Sequence, residues 1–265
     1  MRLEKVIIEK WKKDIEFCLP GLLDAIEKQK SKTFLIGACI FDVYQMQGWL
    51  KKFSRRTGDA DFTIEYLGNS SEYQDVCKDL LKQGYRRDDI HPYRYHPQKV
   101  NGVYAYVDFL TFTTDPSLEK QAKAMMSVGE SFNFEGMAFA KHNPLHVEKN
   151  IYIPNPLALI YLKMRSYYHN PERQKDFVDV VEVILRISME SNIMKDLRDI
   201  MENLTEVIVK QQIERMCLDI ERDRGGLWDL DNIKIGLDER ALLDEFEWDT
   251  IATTFEFFRM KIFKP

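Results

Sequence analysis

Two aspartates, Asp59 and Asp61, stand two residues apart where the segment 60–66 alternates between apolar and polar residues. Such alternation predicts a β-strand, and residues two apart on a strand project to the same face, with Cα atoms about 6–7 Å apart. Carboxylates placed in this way can share a pair of divalent ions about 3.5–4 Å apart. Mg²⁺ (or Mn²⁺) prefers hard oxygen ligands such as carboxylates and phosphates, so the pair suits a metal site for a phosphate-bearing substrate. Taken alone, Asp-x-Asp is a weak signal, because it is also common in turns and at exposed strand ends.

A third carboxylate, Asp108, lies inside the segment 103–112, which is the strongest strand pattern in the chain. An ionised carboxylate is costly to bury unless it has a partner or a metal ion. If this strand neighbours the strand at 60–66, Asp108 reaches the same ions. Two other interpretations remain open for Asp108, namely a position on an edge strand and a partnership with an arginine.

A glycine, Gly37, ends the apolar segment 33–37, which predicts a buried strand, and a helix is predicted over 38–53. A glycine at such a junction lets the backbone approach a phosphate, and the following helix N-terminus offers free N–H groups. The simpler alternative is a glycine that is needed only for a tight turn.

These elements in this order resemble the nucleotidyltransferases of the DNA-polymerase-β superfamily. The family pattern is a glycine-containing turn, a helix, an Asp-x-Asp strand and a later strand with a third acidic residue, which Gly37, Asp59, Asp61 and Asp108 match. The form Arg-Thr-x-Asp-x-Asp is similar in particular to the abortive-infection toxins of the AbiEii/AbiGii type. The resemblance covers about residues 33–186.

A downstream segment extends the resemblance: Lys163 is followed by Arg173-Gln-Lys175-Asp176-Phe-Val-Asp179. The resemblance implies that Asp59, Asp61 and Asp108 hold the metal ions and carry the catalysis. It assigns the nucleotide to Gly37, Ala38, Arg56, Thr57, Lys163, Lys175 and Asp176, with Asp179 nearby. The alternative for the downstream residues is a solvated lysine and an ordinary polar helix face. Ala38 departs from the small polar or glycine residue of the family and removes a hydroxyl contact.

The expected activity is therefore a metal-dependent transfer of a nucleoside monophosphate from an NTP to an acceptor hydroxyl, with release of pyrophosphate. The resemblance implies an acceptor such as tRNA or a protein side chain, and a cognate antitoxin protein as a partner. One alternative is an antibiotic nucleotidyltransferase that acts on aminoglycosides or lincosamides. Another is a catalytically inactive nucleotide-binding module, which Ala38 favours and the three aspartates oppose.

The elements that must position these residues divide the chain into two predicted domains. Residues 1–150 predict an α+β nucleotidyltransferase domain, a mixed sheet flanked by helices, and residues 151–265 predict a helical domain. Asn155-Pro156 is a good start for the first helix of the second domain. The further predicted elements are helices at 3–29 (divided near Pro20), 71–84, 172–189, 193–221 and 238–262, and weaker strands at 131–140 and 147–153.

Of the 265 residues, 45% are hydrophobic, which is enough to bury a substantial core. The net charge of −5 argues against a protein that coats nucleic acid with positive charge. No apolar segment is long enough to suggest a signal peptide or a membrane span, and the four cysteines form no CxxC pair. We therefore expect a cytoplasmic protein with free thiols and no membrane association.

Overall fold

The computed structural model describes residues 1–51, 57–68, 71–127, 134, 136–170, 172–187, 192–221, 230–239 and 242–263. The chain divides into two compact units. The first, the sheet unit, comprises Arg2–Gln47 and Arg56–Asn155. The second, the helical unit, comprises Pro156–Pro265 together with Met1 and a short segment that begins at Gly48. The predicted α+β class is confirmed, since the described residues form a mixed sheet and many helices.

The sheet runs through the middle of the sheet unit, and in the described residues it has seven strands. They are β1 (Thr33–Ile36), β2 (Asp59–Glu65), β3 (Arg86–Arg87), β4 (Arg94–His96), β5 (Tyr106–Phe112), β6 (Leu145–Glu148) and β7 (Ile151–Ile153). Their order is β3-β4-β5-β2-β1-β7-β6. The pairs β2–β5 and β1–β7 are parallel, and the other neighbours are antiparallel. The two long strands β2 and β5 therefore lie side by side near the centre.

The described helices of the sheet unit each bury apolar side chains. They are α1 (Lys5–Cys18), α2 (Leu22–Glu27), α3 (Ile40–Met46), α4 (Glu72–Lys82), α5 (Glu119–Met126) and α6 (Met137–Ala140), with a 3₁₀ turn at Pro116–Leu118. Trp11 of α1 lies with its ring centroid 6.5 Å from that of Phe62, and Tyr73 of α4 stacks on Phe109 at 5.6 Å. Phe62 and Phe109 alternate with Asp61 and Asp108 along their strands, so the aspartates face away from these two helices.

Two predicted helices are divided or shortened by glycines with left-handed backbone angles. The predicted helix 3–29 is two helices, α1 and α2, and Gly21 between them has φ +74°. The predicted helix 38–53 ends at Met46, two residues before Gly48 with φ +75°. A left-handed glycine beyond the last turn is a common helix terminator, which explains why α3 is short. The end of this predicted helix reaches residues 52 and 53, which lie outside the described residues.

The predicted strand at 131–140 is wrong in the part that the structure describes. Gly136 has φ +92° and residues Met137–Ala140 form the short helix α6, whereas 131–133 lie outside the described residues. Apolar residues at 137 and 139 imitate strand alternation, but the turn at Gly136 forbids an extended path. The predicted strand at 147–153 is the hairpin of β6 and β7, which turns at Lys149 with φ +43°.

The helical unit consists of helices that bury a shared apolar core. They are α7 (Pro156–His169), α8 (Gln174–Arg186), α9 (Asn192–Asn203), α10 (Val207–Glu221), α11 (Leu230–Glu239), α12 (Leu242–Glu245) and α13 (Trp248–Phe263). α8 packs on α7, α11 and α13, and α13 also contacts α9 and α10. The predicted helix 193–221 is divided after Asn203, whose side chain donates to the carbonyl of Asp199 one turn earlier. Among the described helices, none combines the length and apolar character needed to cross a bilayer.

Candidate metal centre

Three carboxylates converge because β2 and β5 lie side by side in parallel. The register places Asp61 opposite Asp108 and Asp59 opposite Tyr106. Each aspartate offers one oxygen such that all three oxygens lie within 4.8 Å of one another. Asp108 is buried and the other two are half-buried. The three aspartates that the sequence singled out are therefore brought together in one cluster, which is called the carboxylate centre below.

The carboxylate centre fits a hard divalent cation. Two like charges about 4 Å apart repel by about 4 kcal/mol at an effective dielectric constant of about 20, so an unbalanced cluster of this kind is unfavourable. Carboxylate oxygens suit Mg²⁺ and Mn²⁺, whereas zinc centres usually include histidine or cysteine ligands. Asp59 and Asp61, being half-exposed, leave room for water and phosphate oxygens around such a cation.

An arginine forms an ion pair with the most buried of the three carboxylates. Arg94 of β4 lies opposite Asp108 in the antiparallel register. Its Nε donates to Oδ1 at 2.7 Å and its Nη2 donates to Oδ2 at 2.9 Å, a bidentate contact. The hydrogen bond with Asp108 raises the pKa of Arg94 above its ordinary value. The arginine partnership left open for Asp108 is thus present together with the two neighbouring aspartates.

The aromatic ring of Tyr106 lies close to two basic side chains beside the carboxylate centre. The guanidinium carbon of Arg94 lies 3.9 Å from the ring centroid, and the ring of His96 lies 5.5 Å away. Burial, followed by the charge of Asp59, raises the pKa of Tyr106. His96 Nε2 is 3.0 Å from Oδ2 of Asp88, whose Oδ1 accepts from the backbone N–H groups of residues 90 and 91. Cationic and aromatic groups therefore adjoin the carboxylates on this side.

On the other side, the turn at Gly37 lies directly against Asp61. Gly37 has φ +76°, and a Cβ built on it would lie 1.9 Å from Oδ2 of Asp61. The next residues turn into α3, with Ala38 buried and the thiol of Cys39 donating to the carbonyl of Ile36 at 3.0 Å. Burial, and then the charge of Asp61, raise the pKa of Cys39, which keeps the thiol protonated. Only a glycine allows the backbone to approach the carboxylate so closely.

Two hydrogen bonds, made by Thr57 and Gly58, support the start of β2. The hydroxyl oxygen of Thr57 accepts from the N–H of Asp59 at 3.4 Å, and the carbonyl of Gly58 accepts from the N–H of Ala105 at 2.7 Å. Arg56, which the resemblance assigns to the nucleotide, lies outside the described residues. Thr57 therefore supports the start of β2 through its side-chain hydroxyl.

Lys163, which the resemblance assigns to the triphosphate, belongs to the helical unit and is buried there in an ion-pair cluster between α7 and α8. Its ammonium donates to Asp176 at 2.9 Å and to Asp179 at 2.7 Å. Ser166 and Arg173 donate to the second oxygen of Asp176. Burial opposes ionisation of Asp176, but the charges of Lys163 and Arg173 outweigh it and hold its pKa below the usual range. The cluster neutralises itself internally.

The remaining downstream residue, Lys175, lies exposed on α8 beside this cluster in sequence. The helical unit thus contains Lys163, Lys175 and Asp176, whereas the sheet unit contains the carboxylate centre and Gly37. The structure brings the three aspartates and Gly37 together, and it joins Lys163 to Asp176 and Asp179.

Sequence reasoning missed Arg94 and the strand that carries it. β4 has only three residues, which is too short for a clear alternating pattern. A signal is nevertheless present, because Arg94 stands between Tyr93 and Tyr95 in a segment bounded by Pro92 and Pro97. Aromatic residues between two prolines favour a short strand, and a charged residue within it requires a partner.

Comparison of the chain with protein-family models, with curated proteins and with solved structures finds no match in any of the three. A functional assignment therefore rests on the chemistry of the carboxylate centre and on the residues around it. The centre combines three hard ligands, an adjacent glycine turn and a neighbouring arginine. This combination suits the handling of a metal-bound phosphate.

Proposed function

We propose that the protein is a metal-dependent nucleotidyltransferase of the DNA-polymerase-β type. It transfers a nucleoside monophosphate from an NTP to an acceptor hydroxyl and releases pyrophosphate. The observation that carries the proposal is the convergence of Asp59, Asp61 and Asp108 from two parallel neighbouring strands, with ligand oxygens within 4.8 Å of one another. Three carboxylates so close together repel one another, which is costly unless a cation balances their charges.

The three aspartates have different places in the proposed reaction. Bound Mg²⁺ supplies charge neutralisation for the triphosphate and activates the attacking hydroxyl. Asp59 and Asp61 hold the cations from one strand. Asp108, on the neighbouring strand, completes the ligand set and orients the acceptor hydroxyl, whose proton its carboxylate can accept.

The glycine turn lies next to the proposed cation ligands. Gly37 has no Cβ, and the Asp61 carboxylate occupies the place where one would lie, so the backbone of the turn directly adjoins that ligand. Ala38, Thr57 and Arg56 are assigned to the triphosphate by the resemblance. Lys163, Lys175 and Asp176 are assigned to the nucleotide by resemblance alone.

The acceptor is proposed from the motif. The segment from Arg56 to Asp61 is similar to abortive-infection toxins, which supports a cellular macromolecule such as tRNA or a protein side chain as the acceptor. The same resemblance supports a cognate antitoxin protein as a partner.

A second candidate function, a nucleotide-binding module without catalysis, is favoured by one specific observation. Arg94 neutralises Asp108 through a bidentate contact, and such a pair can serve stability alone. The arginine balances only one of the three negative charges, however, so the module would still bind a cation at Asp59 and Asp61.

The test measures NTP binding and transfer with the purified full chain. Each of the four common ribonucleoside triphosphates, labelled at the α-phosphate, is supplied with Mg²⁺ or Mn²⁺, with and without total tRNA. We expect divalent-cation-dependent binding of at least one NTP and label on an acceptor. Asp61→Asn is expected to abolish both, because it removes a ligand charge shared by the cations.

The matched control is Asp89→Asn, which removes an exposed aspartate of the same unit and should leave binding and transfer unchanged. Binding that persists without any transfer to tRNA or protein favours the binding module. If no NTP binds in the presence of either cation, the proposal is wrong.

A further inference from the structure

Arg94 holds both oxygens of Asp108, which is the carboxylate that completes the proposed ligand set. Its Nε and Nη2 lie 2.7 Å and 2.9 Å from Oδ1 and Oδ2. The fork–fork geometry uses a lone pair on each oxygen and fixes the plane of the carboxylate. A cation that binds the same carboxylate meets a guanidinium charge only a few ångströms away. The two positive partners therefore oppose each other at Asp108.

The surroundings of Arg94 allow it to change partners. About a fifth of its side chain is exposed (20%), compared with 9% for that of Asp108. Its planar group lies over the ring of Tyr106 at 3.9 Å, so the ring supports the guanidinium independently of the carboxylate. Asp108, fixed on the central strand β5, has no comparable freedom. If the contact between Arg94 and Asp108 breaks, the side chain that moves is therefore that of Arg94.

We propose that Arg94 and a divalent cation are alternative partners of Asp108, and that the released guanidinium binds a phosphate oxygen of the nucleotide. This inference rests on the proposed function. A guanidinium suits the second partner because its donors match phosphate oxygens as well as carboxylate oxygens. Arg94 is then a positioning residue that makes cation and triphosphate binding cooperative: the cation alone binds weakly, and the triphosphate strengthens its binding.

The decisive measurement is Mn²⁺ binding to the full chain, followed by electron paramagnetic resonance, with Mn²⁺ alone as the probe. Arg94→Gln is expected to bind Mn²⁺ about tenfold more tightly than the unaltered protein, which corresponds to about 1.4 kcal/mol. The matched control is Arg86→Gln, which removes an exposed arginine of the adjacent edge strand and should leave the affinity within about twofold. A merely structural role for Arg94 would weaken Mn²⁺ binding or leave it unchanged.

A double-mutant cycle tests whether the effect acts through Asp108. In the Asp108→Asn background, Arg94→Gln should no longer tighten Mn²⁺ binding, since the contact between the two side chains is already lost. Inorganic tripolyphosphate, which carries phosphate oxygens without a base, tests the second partner. Added with Mn²⁺, it should strengthen binding to the unaltered protein by about tenfold and to Arg94→Gln by less than about threefold.

Equal or weaker Mn²⁺ binding by Arg94→Gln overturns this inference and leaves the proposed function standing. Tighter binding by Arg94→Gln supports the inference even if no NTP is transferred, in which case only the proposed function fails. Absence of Mn²⁺ binding from every variant overturns both. Arg94→Lys guards against loss of fold, because an ammonium cannot hold both oxygens of Asp108. It should bind Mn²⁺ about threefold more tightly, and an unchanged affinity also overturns the inference.

Discussion

Asp61 is confined within the carboxylate centre by its two neighbouring strands and by the turn at Gly37. It lies opposite Asp108 on one side and opposite Ile36 on the other, and Gly37 approaches its carboxylate from the turn beyond β1. A residue so confined has little freedom to change its rotamer. Small changes in the neighbouring backbone should therefore affect cation binding more than overall stability.

Gly37→Ala tests this confinement. A Cβ at this position would lie 1.9 Å from the Asp61 carboxylate, and the left-handed backbone angle adds strain of about 1–2 kcal/mol. We expect the variant to lose Mn²⁺ binding, as measured by titration, and to lose about 1–3 kcal/mol of stability in urea unfolding.

Gly48→Ala provides the control, because Gly48 has nearly the same φ, +75°, and a Cβ there meets no atom within 4 Å. It should show the cost of the backbone angle and keep full Mn²⁺ binding. If Gly37→Ala binds Mn²⁺ as well as Gly48→Ala does, Asp61 is not confined by the turn.

The pair of helices α7 and α8 gives the clearest case at the scale of elements. Lys163 of α7 pairs with two aspartates one helical turn apart on α8, Asp176 and Asp179. Its charge is therefore used to join the helices. Removing one partner of such a buried cluster leaves an uncompensated charge, which commonly costs about 3–5 kcal/mol.

The depressed pKa of Asp176 predicts how stability depends on pH. The folded pKa lies below the unfolded value of about 3.9, so the folded state binds fewer protons. The contribution of Asp176 is complete above about pH 4 and is lost as the pH falls through the folded pKa. Urea unfolding between about pH 5 and about pH 2.5 should show this loss in the unaltered protein, and Asp176→Asn should reduce it.

Asp199→Asn serves as the control, since Asp199 lies exposed on α9 in the same unit. It should preserve the acid dependence of the unaltered protein. An identical slope in Asp176→Asn and Asp199→Asn would show that the cluster between α7 and α8 does not contribute to acid unfolding.

Strand and helix patterns predicted the elements that are long enough to repeat their own signal several times. β2 and β5 have seven residues each, and their alternation identified both as strands, but a meeting of Asp61 and Asp108 was expected only if the two strands were neighbours. β4 has three residues, so Arg94 could not be assigned a partner in advance. Lys163 shows a different limit, because a helical pattern does not distinguish a solvated lysine from a buried ion pair; that depends on which helix packs against it.

For the whole molecule, the carboxylate centre concentrates negative charge in a chain that already has a net charge of −5. Three oxygens within 4.8 Å repel one another, and this repulsion destabilises the folded state when no cation balances it. We therefore expect the charges that bind a cation at the carboxylate centre to lower the stability of the protein when no cation is bound.

Asp59→Asn tests that opposition through the melting temperature of the full chain. Without divalent ions, the variant should melt about 2 °C higher than the unaltered protein, since one of three like charges is gone. Saturating Mg²⁺ should raise the melting temperature of the unaltered protein and have little effect on the variant. The order of the two proteins then reverses. Asp89→Asn should behave like the unaltered protein throughout, and an Mg²⁺ response retained in Asp59→Asn would exclude it as a ligand.

The parallel pairing of β2 with β5 also affects how the protein folds during synthesis. Antiparallel neighbours can be joined by a tight turn. β2 and β5 are parallel, so they can pair only after the crossover that contains α4, β3 and β4 has been made. Pairing over such a separation is slow, because closing the loop costs entropy before any contact compensates for it. No early fragment that ends before Asp108 can assemble all three ligands. During synthesis, the chain therefore passes through a long interval in which Asp59 and Asp61 exist without the partner that completes them.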